Sequence, residues 1–564
     1  LHLSLRRQRQ MCIRDRLVVF VLLCIPVGKY IYKVSEYERT FLDPVLDRVD
    51  NLIYRISGIK KEDMSWKQYI FALISCNAVA AFLAFLILRI QSIPILNPNH
   101  IGNMEQGLTF NTVIAFMTNT DIQNYSGEWG LSYFSQMIVI TFFMFFAAAT
   151  GLAITLAFIR AISGRKKEIG NFYVDLVRII TRILLPLSII VAVFFIQQGV
   201  PQTLASNKTV TTIEGKLQDI PMGPVASLEA IKMLGTNGGG FFGANSAHPF
   251  ENPTPLTNAV QSVLILLLAG SLVVCFGYML KKKKQAISIF AAMGVLLLIG
   301  LTICYMAEKA GNPVLSNLGL NQLMGNMEGK EVRFGVGLSS LFTTLTTATS
   351  TGAVNSMHDS LTPIGGAVAI MNMMLNVIFG GVGVGFMNMI MFAILTVFLC
   401  GLMVGRTPEF LSKKIEGKEI KLIALAIIIH PLLILMFSAL ALVVPQGLSS
   451  ISNPGFHGLT EVLYQFTSAA ANNGSSFGGL NTNTMFWNTS TGIVMLSGRY
   501  ISMIILIAVA ASLASKRAIP VTAGTFRTDN AVFTVTLIFI VLVIGALTFF
   551  PALSLGPIAE QLTL

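Results

Sequence analysis

The stretch Thr236-Asn237-Gly238-Gly239-Gly240 closes a half-length apolar piece, and three other clusters stand in corresponding places: Thr118-Asn119-Thr120, Ser350-Thr351-Gly352-Ala353 and Asn472-Asn473-Gly474-Ser475. With Asn119, Gly238, Gly352 and Gly474 taken as equivalent, the separations are about 114 to 122 residues, the self-similarity of an internally repeated fold. The apolar piece before each cluster is too short to cross a hydrocarbon core of about 30 Å. Such a piece reads as a re-entrant helix that enters and returns on the same side. Each unit is therefore a span, a short pore helix, a cluster and a second span.

Composition sets the solvent. Of 564 residues, 54% are hydrophobic and 12% charged, with a mean hydropathy of +0.70, whereas soluble domains carry about 25% charged residues. Apolar windows place spans near 15–32, 68–90, 132–159, 174–197, 258–280, 285–306, 364–404, 420–444, 489–514 and 530–552. The expected fold is an all-α polytopic membrane protein of about ten transmembrane helices, with four span-pore-span repeats around a central pore and one extra helix at each end. The expected division is 1–16 as a non-native leader, 17–67 as first span and loop, 68–170, 171–284, 285–418 and 419–528 as repeats, and 529–564 as last span. The leader is set apart because its string MCIRDR resembles translated cloning sequence.

A formal charge of +12 does not point to nucleic acid, because the basic residues sit in particular loops. Segments 28–67, 160–170, 281–284, 405–421 and 515–527 hold about 24 Lys and Arg, against about six in 91–131, 198–257, 307–363 and 445–488. That asymmetry makes the first set cytoplasmic and puts both termini outside. The six cysteines, Cys12, Cys24, Cys76, Cys275, Cys304 and Cys400, show no C-x-x-C spacing and suggest neither disulfides nor a transition-metal site.

Cation chemistry gives the clusters a reason. A dehydrated monovalent ion needs oxygen ligands on all sides, and backbone carbonyls supply them without a fixed charge that would trap it. Glycine lets successive carbonyls turn toward one axis. Each short helix, running inward, aims its partly negative C-terminal end at the ion. The expected filter residues are Thr118, Asn119, Thr120, Thr236, Asn237, Gly238, Gly239, Ser350, Thr351, Gly352, Ala353, Asn472, Asn473, Gly474 and Ser475. Glu105, Asp121, Glu128 and Glu461 are read as a cation-attracting vestibule.

Five longer strings carry a likeness to a known family: ERTFLDPVL (38–46), MSWKQY (64–69), GTNGGGFFGANSAHPFENPTPLTN (235–258), HDSLTPIGG (358–366) and GLMVGRTPEFLSKKIEGKEIK (401–421). In these the chain resembles the A subunits of the bacterial Kdp potassium-transporting ATPases, within the superfamily of potassium transporters. The resemblance covers residues from about 17 onward. It implies that potassium is the bound and transported ion and that ATP is hydrolysed by the P-type B component of the Kdp ATPase. It also implies that a C component and a small peptide F complete the complex, in a bacterial cytoplasmic membrane. The chain itself shows neither a Gly-x-x-x-x-Gly-Lys-Ser/Thr phosphate cradle nor an Asp-Lys-Thr-Gly string, so it is not expected to be an enzyme on its own and needs no organic cofactor.

The stretch Ile378 to Phe386 interrupts an apolar run of about 40 residues, too long for one straight helix. The resemblance implies an obstructing loop under the filter, with Gly380, Gly381, Gly383 and Gly385 as its gate residues; close helix packing is the other reading. For Arg499 the resemblance implies a cation under the filter that repels ions or pairs with an acidic partner; the other reading is an interfacial side chain that snorkels. Lys232 either faces protein or snorkels away from the axis, or tunes the ion path. His248 and His358 read as loop pins, and Lys281 to Lys284 as a topology signal with anionic lipid as a further ligand. The competing functions are a stand-alone Trk/Ktr-like potassium symporter or channel and a carrier for an organic solute. Carriers more often show inverted repeats, whereas these four share one orientation.

Overall fold

The computed structural model describes residues 2–164, 169–405, 407–520 and 526–564, with side chains from residue 13 onward. Arg165, Lys166, Lys167 and Arg406 of the charge count above lie outside the described residues, as do most side chains of the 1–16 leader.

Ten helices among the described residues are long and apolar enough to cross a membrane: Ile13–Ser35, Trp66–Arg89, Tyr133–Ser163, Phe172–Gln197, Pro255–Leu280, Lys283–Asn317, Gly381–Met403, Gly417–Val443, Met485–Ala514 and Ala531–Thr563. Each contains or overlaps an expected window. The first takes in the last residues of the 1–16 stretch and packs tightly on the fifth, since a Cβ at Gly28 would stand 2.7 Å from the Ser271 carbonyl oxygen. Small residues permit such backbone approach where no water drives helices together.

Four short helices separate the spans of each repeat: α1 (Gln106–Met117), α2 (Val225–Leu234), α3 (Gly335–Ala348) and α4 (Gly455–Ala470). They hold 12, 10, 14 and 16 residues, about 15–24 Å of helix at 1.5 Å per residue, and so end inside a core of about 30 Å. Their polar residues survive burial by local bonding. Ser340, Thr344 and Thr347 of α3 each donate a hydroxyl to the carbonyl four residues back, at 2.8, 2.8 and 2.7 Å, which meets the demand for internal partners at membrane depth.

The expected 364–404 span is broken in two. A helix Pro363–Leu375 ends at Asn376, one 3-10 turn covers Gly381–Gly383, and helix Val384–Met403 follows. The interruption begins earlier than the glycines, because Asn376 and Phe379 adopt left-handed backbone at φ 45° and 48°. Two short hairpins stand outside the sequence expectation: Lys208–Thr211 with Leu217–Ile220, and Glu409–Phe410 with Lys413–Lys414.

On the basic face, the fully buried Arg182 guanidinium meets Asp43 at 2.9 Å, Asp47 at 2.5 Å and Asp50, fastening the loop 43–56 helix to the fourth span. Removing one member of a buried ion cluster leaves uncompensated charge, at a cost of about 3–5 kcal/mol. Arg182→Met therefore lowers the melting temperature of the purified protein markedly; an unchanged melting curve would show the cluster to be solvent-screened.

Candidate ion-binding site

All four short helices end in the same turn. Asn119, Thr236, Ser350 and Asn472 take left-handed backbone at φ 58°, 49°, 47° and 53°. The next residue then donates its N–H five residues back: Thr120 to Ala115, Asn237 to Lys232, Thr351 to Thr346 and Asn473 to Ser468, each at 2.9 Å. This is the Schellman closure of a helix, made without glycine at the left-handed position. A β-branched Thr236 there is strained, as backbone at functional sites often is. The shared turn corrects the sequence alignment: Asn119 corresponds to Thr236, Ser350 and Asn472, and Asp121 corresponds to Gly238, Gly352 and Gly474. Backbone conformation, not residue type, sets the register.

The glycines face the common axis. A Cβ at Gly238 would lie 2.6 Å from the Thr120 carbonyl oxygen and 2.8 Å from that of Asn473; one at Gly352 would overlap the Asn473 oxygen, and one at Gly474 the Thr120 oxygen. Gly352 and Gly474 also have φ of +88° and +107°, which disfavours any side chain. Gly239 packs instead on Phe116, where a Cβ would come within 2.7 Å. Among the described residues no hydrogen bond is donated to the carbonyls of Thr120, Asn237, Thr351 and Asn473, the four equivalent positions. Asn119 Oδ1, Asp121 Oδ1 and Asn237 Oδ1 are buried acceptors without a donor as well. Buried acceptors are ordinarily paired, so a region rich in free oxygens suits a cation.

Side chains bind the turns to one another. Asn119 donates to the Thr236 carbonyl at 2.8 Å, joining first to second. Asn472 donates to Thr120 Oγ1 at 2.8 Å, joining fourth to first. Asn376 accepts from Ser350 Oγ at 2.9 Å and donates to the Ala471 carbonyl at 3.3 Å, joining third to fourth. Ala353 and Ser475 follow the turns; Ser475 Oγ lies 2.7 Å from the Tyr464 hydroxyl, and Thr118 Oγ1 meets Thr120 Oγ1 at 2.7 Å.

The broken helix lies directly against these turns. Val382 N–H donates to Thr236 Oγ1 at 2.9 Å, and Gly381 lies within van der Waals reach of Ser350. Gly380 and Gly385 touch backbone to backbone, with the Gly385 N–H donated to the Gly380 carbonyl at 3.1 Å. Gly383, at φ +96°, is packed on Thr155. Arg499 is 4% exposed, which excludes the snorkelling reading. The space a Cβ on Gly151 would fill lies 2.6 Å from the Val382 carbonyl oxygen and 2.9 Å from Arg499 Nη2, so the guanidinium stands beside the loop.

The expected vestibule is not a set of free carboxylates. Glu105 caps α1 through Leu108 N–H at 2.8 Å, Asp121 is buried and accepts from Gly238 N–H at 3.1 Å, Glu128 accepts from Gly243 N–H at 2.8 Å, and buried Glu461 accepts from Asn453 at 2.6 Å. One oxygen of each is met by a backbone N–H or an amide side chain, while Asp121 Oδ1 and Glu461 Oε2 have no donor among the described residues. His248 stacks on Phe242 at 3.8 Å between ring centres and His358 Nδ1 meets the Tyr464 hydroxyl at 2.6 Å, both as pins.

No motif or spacing singles out His457. At the start of α4 it bridges Asp359 at 3.0 Å and Glu560 at 2.8 Å. Asp359, His457 and Glu461 stand close enough to share a metal ion, but both ring nitrogens already face carboxylates. Burial opposes its charge, yet the hydrogen bonds to Asp359 and Glu560 prevail and raise its pKa from 6.5 to about 10. Because the folded value exceeds the unfolded one, the stabilisation is complete below the unfolded pKa and is lost as pH rises through about 10. The wild-type melting temperature should fall more steeply than that of His457→Gln across that alkaline range; parallel profiles would contradict the bridge.

The model of a family described as "Potassium-transporting ATPase A subunit" matches residues 16–562. The chain is similar to a potassium-transporting ATPase potassium-binding subunit from Clostridium acetobutylicum, 75% identical over 549 residues, covering 97% of this chain and 98% of the relative. It is also similar to one from Geobacillus kaustophilus, 54% identical over 548 residues with the same coverage. In fold it resembles the potassium transporter TrkH from Vibrio parahaemolyticus, with a TM-score of 0.52, 14% identity, and 88% of this chain and 98% of that chain covered. Four closing turns, ten spans and near-complete likeness agree, and the chain belongs to the family of potassium-transporting ATPase A subunits.

Proposed function

We propose that the ring formed by Thr118–Thr120, Thr236–Gly238, Ser350–Ala353 and Asn472–Ser475 is a selectivity filter that binds dehydrated potassium from outside, and that the chain hands the ion to a partner P-type ATPase. The observation that carries this reading is the set of four equivalent carbonyls, Thr120, Asn237, Thr351 and Asn473, left without donors where the repeats converge. Such oxygens can replace a hydration shell. The loop Asn376–Gly383 and Arg499 form the obstruction below it, as a pump requires. The B and C components of the Kdp ATPase and the small peptide F are the expected partners, in a bacterial cytoplasmic membrane with both termini outside. Anionic lipid is a further ligand at Lys281 to Lys284, which line a cavity of about 820 Å³ with Arg527.

The test is co-assembly. Vesicles holding this chain alone should build no potassium gradient at any ATP concentration, whereas co-purification with a P-type ATPase should yield potassium-stimulated ATP hydrolysis. Uphill uptake by the chain alone, abolished by a proton or sodium uncoupler, would replace the pump reading with the symporter.

A further inference from the structure

Three of the four junctions in the ring are made by Asn119, Asn376 and Asn472. The remaining junction, between second and third turns, belongs to Asn245. Its Nδ2 donates to the Gly238 carbonyl at 2.8 Å, and its Oδ1 accepts from Val354 N–H at 3.3 Å, just past Gly352. An amide side chain presents a donor and an acceptor of nearly the same shape. Something must decide which end faces the turn.

Lys232, in the last turn of α2 and fully buried, makes the shortest contact in that decision, beside the Ser246 N–H, which donates to Asn245 Oδ1 at 2.9 Å. Its ammonium donates to Asn245 Oδ1 at 2.8 Å, Glu251 Oε2 at 2.6 Å and Ser246 Oγ at 3.1 Å, using all three protons, while Glu229 Oε2 lies 2.8 Å away. An ammonium has no acceptor, so Asn245 must turn its oxygen to Lys232 and its N–H to Gly238. The carboxylates are anchored in turn. Glu251 Oε1 accepts from Phe242 N–H at 2.8 Å, and Glu229 Oε1 accepts from Gln261 at 2.8 Å. Gly240 makes room for this network, since a Cβ there would fall 2.8 Å from Glu251 Oε1.

We infer that Lys232 is a positioning residue for the ion site: by fixing the orientation of Asn245 it holds the second turn in register with the third. This rests on the ring being the potassium site. Lys232→Met alone strips two buried carboxylates of their partner and threatens folding, so the test uses Asn245→Ala and the charge-balanced double variant Lys232→Met/Glu251→Gln. Each is assembled with the ATPase partner and assayed for potassium- and rubidium-stimulated ATP hydrolysis, with Gly352→Asp in parallel. Both variants should raise the KM for potassium on the order of tenfold with kcat held within about twofold, and narrow the gap between the potassium and rubidium KM values. An unchanged KM in a folded complex overturns the inference, as does a fall in kcat with the potassium-to-rubidium ratio intact, which is the mark of general structural damage. If Gly352→Asp also leaves KM untouched, the ring is not the ion site and the proposed function falls together with the inference.

Discussion

Gly352→Asp should abolish potassium selection while the protein still inserts and assembles. The backbone at Gly352 has φ +88°, and a Cβ there would overlap the Asn473 carbonyl oxygen and stand 2.7 Å from the Gly238 Cα. A side chain therefore has no space except on the axis, where its carboxylate both obstructs and traps. Displacing the Asn473 carbonyl ligand at about 1.5 kcal/mol weakens potassium binding on the order of tenfold, before the obstructing carboxylate is counted. Gly215→Asp is the control, because Gly215 also has positive φ, +79°, but nothing within 4 Å of an added Cβ. Equal potassium binding by the two variants and wild type would remove Gly352 from the ion path.

Shortening the loop under the ring should turn the assembled complex into a leak. Val382 hangs from Thr236 by a 2.9 Å hydrogen bond, and Asn376 ties the same loop to the third and fourth turns. Irregular backbone at this depth is tolerated where protein or a water-filled cavity satisfies it, and here the ring itself supplies the partners. Deleting residues 380–383 removes the obstruction; a barrier lowered by about 1.4 kcal/mol already gives tenfold passive flux. Gly383→Ala is the milder companion, since its Cβ would collide with the Thr155 hydroxyl and push the loop aside. Potassium flux through vesicles is read with the partner present and ATP absent. Flux no higher than wild type in both folded variants would mean that these glycines only pack helices.

The ten spans are legible in the sequence because a run of about 20 apolar residues has few other uses. The four clusters are legible for a related reason: half-helices ending in Gly, Asn, Ser and Thr recur at one period. Their register is not. Asn119, Thr236, Ser350 and Asn472 share a backbone conformation but no one residue type common to all four, so glycine at three of the next-but-one positions draws the first repeat out of step by two. The helix break is visible in four glycines, yet its beginning at Asn376 and Phe379 is hidden, since a phenylalanine carries no sign of a left-handed φ. Asp121 reads as vestibule charge because its partner, the Gly238 N–H, lies 117 residues away. The asparagine joints and the Lys232 network are equally non-local; a basic residue in an apolar pore helix is the only trace, and it does not name Asn245.

Whether the four free carbonyls bind the ion is decided by anomalous scattering from crystals of the assembled complex grown in rubidium, an ion of similar size and chemistry to potassium. A peak is expected on the axis bounded by Thr120, Asn237, Thr351 and Asn473, and its loss is expected in Gly352→Asp. A complex that binds rubidium with its only peak elsewhere, and an empty ring, would refute the assignment of the ring as the ion site.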